Sequence, residues 1–67
     1  MDIKQQFGEA VRTKRKALGL SQEDLAYALK MDQAYISRIE LGQMNVTLDT
    51  ADEIAKALGV KLADLLR

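Results

Sequence analysis

The residues with the most chemistry to offer are Gln33, Ala34, Tyr35, Ser37 and Arg38, inside the stretch SQEDLAYALKMDQAYISRIELG from Ser21 to Gly42. They fall at helical spacing around Ile36 and Ile39, which must face the opposite way. A glutamine amide matches the N6/N7 edge of adenine, and an arginine fork matches O6 and N7 of guanine. An alanine methyl can meet a thymine methyl, and a hydroxyl or phenol can reach a phosphate or a base edge at the rim. This is the chemistry of reading a nucleic-acid groove, and no bond need be made or broken.

Catalysis finds little support elsewhere in the chain. His and Cys are absent, so acid–base work would fall to Asp, Glu, Lys or Tyr, and the carboxylates sit at capping positions or on polar helix faces. No glycine-rich phosphate loop occurs, and no zinc cluster is possible. The expectation is a protein that is not an enzyme and takes no metal, no cofactor and no evident small-molecule ligand.

The chain of 67 residues is long enough for one small domain, 1–67. Apolar residues make up 48%, but the aromatics are only Phe7, Tyr27 and Tyr35, so the core must be aliphatic. Without cysteine there are no disulfides, and a reducing compartment is the natural home. No apolar run approaches the ~18 residues of a membrane span, and MDIKQQFGEA lacks the order of a signal peptide. A cytoplasmic protein that touches no membrane is expected. Ten basic and ten acidic side chains cancel, which counts against phosphate binding. They are unevenly spread. Lys4, Arg12, Lys14, Arg15 and Lys16 oppose only Asp2 and Glu9 in residues 1–20, and the remainder is acidic by the same margin.

Five helices must position the groove-reading residues. Ile3, Phe7, Ala10, Val11 and Lys14 form a stripe for the first, with Gly19 ending it beyond a basic last turn. Gly8 inside that helix costs roughly 1 kcal/mol against alanine unless another helix packs closely there. Ser21 caps the second helix with Asp24 in capping-box register, and Leu25, Ala26, Ala28 and Leu29 form its apolar face. Asp32 offers an N-cap oxygen to the third, about 33–41, which Gly42 ends. Only Lys30 and Met31 separate helices two and three, so the two must cross steeply. Thr47 caps the fourth helix, whose Ala51, Ile54, Ala55 and Leu58 face inward before Gly59. Val60 to Arg67 forms a last helix without a capping side chain, expected to be the least stable.

A short turn between two helices lets the second lie in a major groove while the first braces across the backbone. At this point LSQEDLA, AYISRIELG and ADEIAKALGV together resemble the lambda-repressor/Cro-like (XRE-type) helix-turn-helix regulators, over almost the whole chain. DQAYISRIE followed by NVTLDT is similar to the controller proteins of restriction–modification systems. The resemblance implies an all-α, compact five-helix lambda-repressor-like domain with its motif at about 21–42. It implies a sequence-specific transcriptional regulator, such as a repressor or controller protein, that binds a double-stranded DNA operator as a homodimer.

Carried over residue by residue, the resemblance puts Asp32, Gln33, Ala34 and Arg38 at base-facing positions, although an N-cap role accounts for Asp32. Ser21 and Gln22 match positions that hold the DNA backbone at a helix N-terminus. Gln43, Met44 and Asn45 either grip the same strand or form an ordinary loop, and Tyr35 either reaches the rim with Ser37 or flanks the core. Arg15 and Glu40 match a salt bridge tying the first helix to the recognition helix. Lys30 departs from the pattern, since the family usually has glycine at that left-handed position. Family members pair two-fold, and Val60, Ala63 and Leu66 are candidates for the dimer face, while Leu62 and Leu65 close the core. The competing reading is a protein-interaction module of the same fold, antitoxin-like or adaptor, with weak DNA affinity; the neutral charge and the acids Glu23, Asp24 and Asp32 speak for it.

Overall fold

The computed structural model describes residues 2–66. Its elements are α1 Ile3–Ala17, α2 Gln22–Leu29, α3 Gln33–Glu40, α4 Leu48–Ala57 and α5 Leu62–Leu65. No strand occurs among the described residues.

Local chemistry sets most of the boundaries. Asp2 Oδ1 accepts the Gln5 N–H at 2.8 Å and starts α1. Ser21 and Asp24 exchange both bonds of a capping box at 2.9 Å and start α2; the bonds from Ser21 hold the Asp24 carboxyl below the usual carboxylate range. Thr47 Oγ1 accepts the Thr50 N–H at 3.1 Å and starts α4. At the other ends, α1, α3 and α4 stop by one wiring. The residue after each left-handed glycine (Gly19, Gly42 and Gly59) donates its N–H back to Arg15, Arg38 and Ala55 respectively.

The end of α2 uses that wiring without glycine. Met31 N–H reaches the Ala26 carbonyl at 2.9 Å, and the residue between, Lys30, sits at φ 57°, ψ 43°. Among the described residues it is the sole non-glycine with positive φ. The left-handed conformation expected there is present, and lysine holds it at a cost of about 1 kcal/mol.

Four details differ from the sequence reading. Asp32 occupies the N-cap position of α3 but makes no side-chain capping bond; the Tyr35 and Ile36 N–H groups are served by the Asp32 carbonyl instead. Ala28 is exposed, because the inward face of α2 runs through Leu25, Ala26 and Leu29 and leaves position 28 to its side. Ile3 is 57% exposed and stands at the lip of a groove instead of in the core. The last helix is also shorter than expected, four residues, with Arg67 lying outside the described residues. Its start lacks a capping side chain, though Asp64 Oδ2 accepts the Lys61 N–H at 3.1 Å. Gln6 Nε2 donates to the Leu66 carbonyl and ties its end to α1.

The helices wrap one aliphatic core. α3 packs on α1 and α2, α4 on α2 and α5, and α5 returns to α1. Val11, Leu25, Ile36 and Ile54 are fully buried, each contributing about 1.5–3 kcal/mol of transfer free energy. Ala51, Ala55, Leu58 and Leu65 complete the core from the carboxy-terminal part of the chain. Leu65 thus closes the core as expected, whereas Leu62 is half-buried against it. At Gly8, α1 and α3 approach closely. A Cβ there would lie 2.8 Å from the Glu40 carbonyl oxygen and closer still to that of Ile39. The last turn of α3 therefore rests on bare α1 backbone.

Candidate nucleic-acid interface

α3 divides cleanly around its axis. Ile36, Ile39 and Glu40 are buried, while Gln33, Ala34 and Arg38 are exposed on the outer side. Ala34 and Arg38 are four residues apart and share one face, as do Gln33 and Ser37. The side chains of Gln33, Ala34 and Arg38 make no hydrogen bond or ion pair among the described residues. Ser37 is half-buried beside them. Tyr35 is half-buried against the core and also lines an open cleft with Lys30, Asp32 and Arg38, so flank and rim fall to the same residue.

Beneath this face lies the brace. Arg15 Nε and Nη2 donate to the two oxygens of Glu40 at 2.6 and 3.0 Å, a bidentate pair in which both residues are 7% exposed. Arg15 Nη1 donates to the Leu20 carbonyl at 2.7 Å, and Gln22 Nε2 to Glu40 Oε1 at 3.1 Å. The Arg15–Glu40 pair at the end of α3 thereby gathers α1, the α1–α2 loop and the first residue of α2. The hydrogen bond to Glu40 raises the Arg15 pKa above its already high value, so the guanidinium stays charged. The pair joins the basic and acidic halves of the chain and removes one cation from the amino-terminal surface.

The backbone-holding candidates occupy varied settings. Ser21 is exposed; its hydroxyl oxygen accepts the Asp24 N–H, which leaves its proton to donate. The Gln22 amide group is already engaged with Glu40, while its main-chain N–H is one of the first-turn donors without an intrahelical partner. Gln43 and Asn45 are exposed. The Gln43 main-chain N–H is not available to a phosphate, however, because it donates to the Arg38 carbonyl at 2.9 Å to close α3.

The three dimer candidates do not share a surface. Val60 lines a groove between α1 and α5 with Ala10 and Ala17. Leu66 lines another, with Ile3, Phe7, Ile39 and Leu48. Ala63 is exposed and lines neither. The second groove is the apolar one, rimmed by Leu48, Ile3 and Leu66 at 76, 57 and 38% exposure. Leu48 was not singled out from sequence, since a leucine in a first helical turn carries no signal until its neighbours are placed. Leu41 was likewise passed over. It is 59% exposed and continues the Ala34–Arg38 face by one more step of three residues.

Comparison with known proteins agrees with this geometry. The helix-turn-helix family matches residues 11–65. The chain is 46% identical over 66 residues to the control protein C.BamHI of Bacillus amyloliquefaciens, covering 97% of this chain and 82% of that one. It is 42% identical over 66 residues to the control protein C.SmaI of Serratia marcescens, covering 98% and 79%. Its fold superposes with a TM-score of 0.86 on the crystal structure of the restriction-modification controller protein C.AhdI from Aeromonas hydrophila, at 39% identity over 91% of this chain and 92% of that one. The chain belongs to the helix-turn-helix family of DNA-binding transcriptional regulators.

Proposed function

We propose that the protein is a controller-type regulator that binds a pseudo-palindromic DNA operator as a homodimer, with α3 in the major groove of each half-site. The observation that carries this reading is the division of α3: its inner residues are locked by core and ion pair, and its outer Gln33, Ala34 and Arg38 are free. Similarity to control proteins supports the regulatory role. Gln33 and Arg38 read bases, Ala34 supplies a methyl contact, and Ser21, Ser37, Asn45 and the side chain of Gln43 hold the backbone or rim. The role is binding and not catalysis, in the compartment that holds the operator. Five of the ten acidic side chains are engaged structurally: Asp2, Asp24 and Asp64 at helix starts, Glu40 with Arg15, and Asp52 with Lys56 at 3.2 Å.

Selection from random duplex DNA tests the reading and yields the operator. Arg38→Ala is then expected to weaken binding by about 1–3 kcal/mol per half-site and to relax preference at one guanine, with unchanged melting. Equal affinity for all sequences in the wild-type protein would overturn it. The exposed Glu23 and Asp24 beside the motif favour the rival, a protein-interaction module. Salt separates the two: DNA binding weakens steeply with salt through counterion release, and an apolar protein interface does not.

The groove rimmed by Ile3, Leu48 and Leu66 is the surface that a second copy covers in this reading, with Leu66 alone retained from the three sequence candidates. Leu48→Glu is expected to turn a dimer of 7.5 kDa chains into monomers in sedimentation at micromolar concentration, with little change in helix content. A wild-type protein that sediments as a monomer there would overturn the dimer.

A further inference from the structure

We propose that Lys30 is a DNA phosphate contact, and that the strained turn between α2 and α3 is kept for the charge it carries. The inference rests on the DNA-binding reading above. The other left-handed positions that close a helix are glycine, so this chain uses glycine where only the backbone matters. At Lys30 it carries a side chain despite φ 57°. Nothing inside the molecule rewards that side chain: Lys30 is exposed, and it makes no ion pair or side-chain hydrogen bond among the described residues. Backbone strain held without an internal return is a mark of a functional position.

The surroundings say which function. Lys30 shares an open cleft with Arg38, Tyr35 and Asp32. This cleft joins the turn to the outward face of the recognition helix, with two cations against one carboxylate that pairs with neither. When α3 lies in a major groove, the groove wall beside the turn is a sugar–phosphate strand, and a lysine there meets a phosphodiester oxygen as a point charge. Such a contact adds affinity for any sequence and specificity for none.

The test uses the full chain and a labelled random-sequence duplex of about 30 base pairs, long enough for two protomers one turn apart. Anisotropy titrations over a range of salt compare the wild type with Lys30→Gly, Lys30→Gln and Lys30→Arg. Both neutral variants are expected to flatten the slope of log Kobs against log salt by about 1 per bound protomer, and Lys30→Arg to keep it. Lys30→Gly should melt about 4–8 °C higher, having lost the strain, while Lys30→Gln should not. An unchanged slope in both neutral variants overturns the proposal and leaves the DNA reading standing, as does lost affinity without a change of slope. A glycine variant that melts no higher removes the premise of strain and overturns it too. A wild type without salt-dependent binding overturns the DNA reading itself.

Discussion

Arg15→Ala is expected to lose about 3–5 kcal/mol of stability, because it strands the Glu40 carboxylate with both oxygens out of water and its bidentate partner gone. At roughly 0.05–0.15 kcal/mol per residue, that is a large part of what a chain of 67 residues possesses. The Leu20 carbonyl also loses its donor. DNA affinity should fall with the folded fraction and recover when the measurement is cooled or corrected for unfolding. Chemical denaturation with a parallel binding titration checks this. A variant that melts like the wild type yet no longer binds would make Arg15 a phosphate contact instead of a brace. The double replacement Arg15→Met with Glu40→Leu should cost less than either single change, since no charge is then left buried alone.

Gly8→Ala is the second large effect, and it runs against helix propensity. Alanine in a helix interior gains roughly 1 kcal/mol over glycine. Here its methyl would press on the carbonyl oxygens of Ile39 and Glu40, which are backbone and cannot rotate away. Overpacking of this kind costs about 1–3 kcal/mol, and relief requires α3 to move off α1. The expected outcome is a net loss of stability together with weaker operator binding, because the displaced turn carries Glu40. Melting and specific affinity measured on the same sample check it. A stabilised variant would show that α1 and α3 separate easily.

The caps at Ser21 and Thr47, the glycine stops and the inward face of α4 were legible in the sequence because each depends on residues within one turn: Ser21 with Asp24, Thr47 at the head of α4, and Ala51, Ile54, Ala55 and Leu58 at helical spacing. The cap at Asp2 was not. The Arg15–Glu40 pair spans 25 residues, and it was reached through resemblance to a family rather than from spacing. The close approach at Gly8 was stated as a condition, since a missing side chain does not say what fills its place. What stayed hidden depends on three-dimensional neighbours alone. Gln22 looks like a free amide until Glu40 is placed beside it. Asp32 looks like a capping side chain, but the backbone alone starts α3. Val60 and Leu66 look like one apolar face, yet they line different grooves.

The division of α3 has a consequence for how such a protein diversifies. Within the eight residues of α3, the locked side chains (Ile36, Ile39 and Glu40) and the outward ones (Gln33, Ala34 and Arg38) are different sets, with Tyr35 and Ser37 between them. Gln33, Ala34 and Arg38 have no internal obligations, and substitution at such surface sites usually changes stability by within about 0.5 kcal/mol. If these residues read the operator as proposed, its preference can drift by single steps through folded intermediates, with no compensating change elsewhere. In that reading the scaffold stays fixed while the address is rewritable.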